Sequence, residues 1–246
     1  MSESKEVATR QPTDLAIPDE DLGMGFEDMQ GQDFAAPFLV ICQTTSPYIN
    51  PAHELYIPEA RPGTIINTMN NRVYAKVNVI PCKYAFRAVE WKPRASGGGF
   101  VSSYTREEIP DDLSVNAITG RTQRSNGNEI MSTGYYLCLL IEEDFERVIV
   151  PMTSTQLKKS RKWNTMMMGQ KKDGKPLPIF SKIYELSLVA EQNNKGSWFG
   201  WKFDIVDNTD PEIYPLAKET NQIGNFLPDQ LIAKTAAESE TKEGVI

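Results

Sequence analysis

Apolar runs in this chain come in pairs joined by short turns, and that pairing limits the folds open to it. Ile179–Glu191 leads through Asn193-Asn-Lys-Gly196 into Ser197–Val206, which predicts two long strands around a hairpin turn. Tyr135–Ile141 and Arg147–Val150 flank Glu142–Phe145 in the same way. Thr64–Thr68 and Val73–Ile80 flank Asn70-Asn71, where Asn tolerates the positive φ of a tight turn. Pro37–Cys42 and Cys82–Trp91 read as further strands. Between them Pro47, Pro51, Pro58 and Pro62 suit loops and edges. Strands that arrive as hairpins pair antiparallel, whereas a parallel sheet needs a crossover, usually a helix, between successive strands. The pattern predicts a mainly β, β-rich α+β chain: an OB-type antiparallel barrel with one inserted helix and disordered acidic termini, a β-sandwich being the alternative.

The inserted helix is the most informative stretch. Thr153 is placed to cap it, Gln156 to close a capping box, and Gly169 to stop it. At 100° per residue Leu157, Ser160, Asn164, Met167 and Met168 share one side. The other side collects Lys158, Lys159, Lys162 and Trp163, with Met166, and Arg161 adds a fourth base to the run. Such a face is either plainly solvated or built for an anion.

Cations and aromatics interleave elsewhere too. On Cys82–Trp91 alternation puts Cys82, Tyr84, Phe86 and Ala88 toward the core and Lys83, Arg87 and Trp91 away from it. Lys92, Arg94, Gly97-Gly-Gly99, Phe100 and Tyr104 follow in an expected mobile loop, and 105–132 looks irregular around an Asn126-Gly127 turn. On the last strand Phe199, Trp201, Phe203 and Ile205 are expected inside, Trp198 and Lys202 outside. Cations follow a phosphate chain, and aromatic rings stack on unpaired bases. The candidate nucleic-acid residues are therefore Lys83, Arg87, Trp91, Lys92, Arg94, Tyr104, Lys158, Lys159, Arg161, Lys162, Trp163, Trp198 and Lys202.

The net charge of −7 divides unevenly. Residues 1–33 carry nine acids and two bases, residues 204–246 nine acids and three bases, and the middle 21 bases and 15 acids. A positive body between acidic ends predicts a disordered arm at 1–33, a nucleic-acid-binding domain at 34–207 and an acidic tail at 208–246, with a short helix expected at 227–237. Three widely spaced cysteines in apolar runs read as buried, reduced thiols. No apolar run suits a membrane span and no leader is evident. With one histidine, no Cys-x-x-Cys and no nucleophile–base pair, no catalytic residue, metal or cofactor is expected, and the chain reads as a non-enzyme.

Several segments taken together resemble a known family. They are Gly25-Phe-Glu-Asp28, Pro37-Phe-Leu-Val-Ile-Cys-Gln43, Ser46-Pro47, Arg61-Pro-Gly63, Val89-Glu-Trp-Lys-Pro-Arg94 with Gly97-Gly-Gly99, and Ser154-Thr-Gln-Leu-Lys-Lys-Ser-Arg-Lys-Trp163. The likeness spans residues 25–205 and is to single-stranded DNA-binding proteins of phage replication and recombination genes. It implies an OB-fold, a host-cytoplasmic setting, single-stranded DNA as ligand, and replication or recombination proteins as partners of the acidic tail. The C-terminus departs from that pattern, being moderately acidic and ending without an aromatic residue. Competing readings are a phage structural or assembly protein with a β-rich body, and an inhibitor whose acidic surface mimics DNA. The positive middle disfavours the latter.

Overall fold

A computed structural model of the chain describes residues 18, 24–25 and 37–233, apart from 195, 228 and 230. The expected arm at 1–33, but for Pro18, Met24 and Gly25, and the end of the expected tail, 234–246, lie outside the described residues.

Two long strands form the spine. β4 (Val77–Trp91) pairs antiparallel with β8 (Glu129–Leu140) from Val79↔Leu140 to Trp91↔Glu129. The sequence divides β4 at Pro81, which lacks a ladder donor. The strand continues because the register shifts between Pro81 and Lys83, a bulge that tolerates the missing N–H. β5 (Phe100–Tyr104) flanks the C-terminal part of β4, and β12 (Lys182–Asn193) flanks its start. β13 (Gly196–Asn208) is the hairpin partner of β12. On the far side of β8 lie β9 (Glu146–Thr153) and, beyond its other end, β7 (Thr122–Arg124) and β6 (Leu113–Val115). The sheet order β13-β12-β4-β8-β7-β6 curls into an antiparallel half-barrel with one main inserted helix. Both expected long hairpins are present, turning at Leu140↔Glu146 and Asn193↔Gly196. The stretch expected to be irregular, 105–132, contains β6, β7 and the start of β8.

A second sheet of β1 (Leu39–Ile41), β2 (Ile65–Asn67) and β3 (Val73–Tyr74) joins β9 through the Phe38–Ile149 bridge. The chain then caps the open edge of β13 with side chains. Gln43 donates from Nε2 to the Phe199 carbonyl and accepts the Phe199 N–H at Oε1, both at 2.8 Å. Gln156 accepts the Trp201 N–H at 3.1 Å and donates to the Phe199 carbonyl at 3.3 Å. Amide side chains thus occupy positions that a neighbouring strand would fill, which blunts an edge that would otherwise recruit another chain.

The sheet is buried on both faces. One face packs Val77, Val79, Tyr136, Tyr184, Trp201 and Phe203 together. The other packs Val89, Trp91, Tyr135 and Leu137 with Leu227 and Ile232. A third cluster joins Ile80, Cys82, Leu139 and Phe180 to Ala217 of helix α2 (Tyr214–Gln222). This corrects the expected tail boundary at 208. Apolar positions spaced along 213–232 dock on the sheet, so this acidic segment belongs to the body through at least Ile232. All three cysteines are buried, and burial raises the Cys82 thiol to about 12.

Candidate nucleic-acid interface

Helix α1 (Leu157–Gly169) follows β9 after a 3-10 turn at Ser154–Gln156. The expected capping box does not form. Thr153 makes no side-chain cap bond, and Gln156 is committed to the β13 edge instead. Gly169 does end the helix. The buried face is Ser160, Trp163 and Met167. Ser160 reaches the sheet over Gly134, where a Cβ would stand 2.7 Å from its Oγ. The Tyr136 hydroxyl meets Ser160 Oγ and Asn164 Oδ1, each at 2.8 Å, and burial holds it protonated well above the usual tyrosine range.

Trp163 was expected outside and is inside. It stacks on Phe203 at 4.6 Å, lies 4.5 Å from Tyr136 and meets Tyr184 edge-on at 5.6 Å, fully enclosed. It stands only about 60° from Ser160 and about 40° from Met167 around the helix, so it completes that apolar stripe. Burying an indole outweighs setting it among ammonium groups, because aromatic side chains dominate core energetics.

With Trp163 inside, the outer face of α1 is cationic. Lys158, Arg161 and Lys162 are exposed. Lys159 is spent on Glu191 at 2.5 Å. The chain continues directly into a small hairpin, β10 (Lys171–Lys172) and β11 (Lys175–Pro176), turning at Asp173-Gly174. Lys171, Lys172 and Lys175 are exposed there. Residues 154–178 hold seven bases and one acid, while the rest of 34–203 holds 14 of each. The whole positive surplus of 34–203 is therefore in one helix and its adjoining hairpin. A 13-residue helix rises about 20 Å, long enough to lie along several phosphates.

The chain matches the family model described as Pam3 phage gp34-like protein over residues 5–224. It belongs to that family. No curated protein and no solved structure matches it. The Pam3 gp34-like description points to a bacteriophage protein and names no activity.

The remaining expected site residues of this Pam3 gp34-like chain do not gather around α1. Trp91 is 2% exposed and packs edge-on against Phe100 at 5.9 Å, a core residue on the opposite face of the sheet. Lys83 shares that face, its ammonium donating to the carbonyls of Ile223 and Gly224 under the C-terminal segment. Arg87 turns back to the Phe86 carbonyl at 2.9 Å. Lys92 is exposed and Arg94 opens a 3-10 turn, both in the β4–β5 connection. That connection is a closed hairpin, with Lys92 N–H on the Gly99 carbonyl at 2.9 Å and positive φ at Gly97, Gly98 and Gly99. Tyr104 donates to Glu90 at 2.5 Å within a polar network. Glu90 is buried, yet hydrogen bonds from Tyr104, Asn128, Arg124 and Asn126 outweigh that burial and hold its carboxyl below the usual range. Asp112 grips Ser125 and Arg124 and is lowered to about 2. This network ties the β5–β7 region together.

Trp198 and Lys202 lie on β13. Lys202 is exposed and pairs with Asp204 at 2.5 Å. Trp198 is half-buried and donates from Nε1 to Glu191 at 3.0 Å. Glu191 also holds Lys159, so Trp198 stays beside α1. Lys171, Lys172 and Lys175 fall in a stretch whose composition alone suggests a linker. The signal that distinguishes it is Lys-Lys-Asp-Gly-Lys: Asp-Gly between short flanks specifies a tight hairpin, which displays the lysines instead of letting them trail.

Proposed function

We propose that this protein binds single-stranded DNA without sequence specificity in phage DNA replication or recombination, its phosphates following Lys158, Arg161, Lys162 and the β10–β11 lysines. The observation that carries this reading is the concentration of the positive surplus of 34–203 at 154–178, where Lys158, Arg161, Lys162, Lys171, Lys172 and Lys175 are exposed and no ion pair is found for them among the described residues. Free cations on a rigid helix and a tight hairpin release counterions from a phosphate chain without first breaking internal pairs. Trp198, beside the helix, is the one tryptophan of the expected set placed to meet a base. The reading includes no catalytic step, metal or cofactor. The acidic residues beyond the body, Glu238, Glu240 and Glu243, fall to partner proteins of the replication or recombination machinery.

The triple variant K171E/K172E/K175E tests it. Fluorescence anisotropy with a labelled thymidine oligomer should show weaker binding. The log–log salt slope should flatten by about 2, because each single-strand phosphate left without its cation takes away ~0.7. Affinity and slope equal to wild type would overturn the assignment.

A further inference from the structure

Tyr84 and Phe86 have no role in the interface so far. Strand alternation alone puts both in the core. Instead each is half-buried, on the sheet face that carries α1. The Tyr84 ring lies 5.0 Å from that of Tyr136, whose hydroxyl meets the helix at Ser160 and Asn164. Phe86 lies one alternation further along β4, opposite Gly134, where β8 raises no side chain. The Arg106 guanidinium rests over Phe86, 3.9 Å from the ring centroid, and Arg106 is exposed. That face of Phe86 therefore already accommodates a planar group, the guanidinium.

We infer that Tyr84 and Phe86 are a base-stacking platform for the strand whose phosphates α1 holds, with Arg106 as the movable cover of the second ring. This rests on the single-strand reading above and adds to it the surface that would select unpaired bases. Alternate residues on a strand stand about 6.7 Å apart. Neighbouring bases along one strand of a duplex are about 3.4 Å apart and cover each other's faces. The two rings therefore suit an extended strand, one base to each. Helix geometry puts Arg161 on the flank shared with Leu157 and Asn164, where Asn164 accepts from Tyr136, the ring beside Tyr84, while Lys159 leans the other way to Glu191. The next acid along this face of β4, Glu90, is turned into its bonds with Tyr104, Arg124 and Asn128. When a base takes the Phe86 face, the Arg106 guanidinium moves to the outer face of that base, where arginine planes also stack.

Y84L, F86L and the double variant test this against wild type and K158E/R161E/K162E, with the labelled thymidine oligomer over a range of salt. Each leucine substitution should weaken binding roughly 5- to 100-fold without changing the salt slope, because a ring is removed while every phosphate keeps its cation. The α1 variant should lower affinity and slope together. Wild-type affinity in Y84L and F86L, alongside a flattened slope in the α1 variant, overturns the platform and leaves the phosphate track standing. Failure of the wild type to bind overturns both. F86W keeps a ring at the position and guards against a folding defect in the leucine variants. Its added fluorescence should be quenched by the thymidine oligomer and not by a matched duplex, and quenching by neither while the protein binds also overturns the platform.

Discussion

Trp163 separates an α1 that is held by the core from an α1 whose aromatic face is offered to DNA. The indole is enclosed by Tyr136, Tyr184 and Phe203, with the last stacked at 4.6 Å and 6° from parallel. Truncation to alanine deletes the centre of this cluster and leaves a cavity, a loss of ~3–5 kcal/mol. A domain's net stability is ~5–15 kcal/mol, so W163A gives up a large part of it. W163F keeps a ring against Phe203 and also removes a buried indole N–H that has no partner among the described residues. Part of the lost packing is thereby offset, for a net cost of about 1–2 kcal/mol. Urea denaturation followed by circular dichroism reads both. With a denaturant dependence of about 3 kcal/mol per molar, the midpoint should fall by ~1–1.7 M for W163A and ~0.5 M for W163F. Under conditions where W163F is fully folded, its affinity for a thymidine oligomer should equal that of wild type. A W163F protein of undiminished stability that binds tenfold more weakly would refute the core assignment, as would a W163A protein with an unshifted midpoint.

Three further outcomes follow from the same structure. Q43A removes the amide that occupies Phe199 N–H and C=O, and should cost about 1–3 kcal/mol and raise the tendency to associate through the uncovered β13 edge, read by urea midpoint and light scattering; an unchanged monomer would count against the edge cap. Glu90 has its carboxyl held below the ordinary value, so its contribution is complete above the unfolded-state value of about 4.3 and fades as pH falls through the folded value. E90Q should be less stable than wild type at pH 7, with a gap that narrows below pH 4; a gap independent of pH would sink that account. G134A puts a methyl group against Ser160 Oγ and the Tyr84 ring, and should lower the melting temperature by displacing α1, whereas G97A, with open space at its Cβ, should cost only the strain of its positive φ.

The hairpin architecture was legible because turn residues and paired apolar runs act locally, as at Leu140↔Glu146 and Asn193↔Gly196. The bulge after Pro81 was not, and it took Cys82 out of the alternation to join Ile80 and Ala217. Beyond it Tyr84 and Phe86 stay opposite Lys83, Arg87 and Trp91 as expected, but the second face is covered by the C-terminal segment, which no local pattern announces. The same limit applied to the helix. Its charge was plain from Lys158 to Lys162, but whether Trp163 joined the cations or the core depended on Tyr136, Tyr184 and Phe203, residues distant in sequence. The docking of 213–232 was hidden by acidic composition, since a few apolar positions such as Ala217, Leu227 and Ile232 suffice to bind a segment whose outer side stays charged.

The central claim is that exposed cations at 154–178 hold an unpaired strand. The direct measurement is titration of the full-length wild-type chain against a labelled thymidine oligomer and a matched duplex at 50 and 200 mM salt. If Lys158, Arg161, Lys162, Lys171, Lys172 and Lys175 each meet a phosphate, the log–log slope is about −4 and affinity for the single strand falls ~300-fold over that range. Duplex should bind more weakly at both concentrations. No binding to the single strand at the lower salt, or binding that ignores salt, would contradict the account and favour a phage assembly role for this β-rich body.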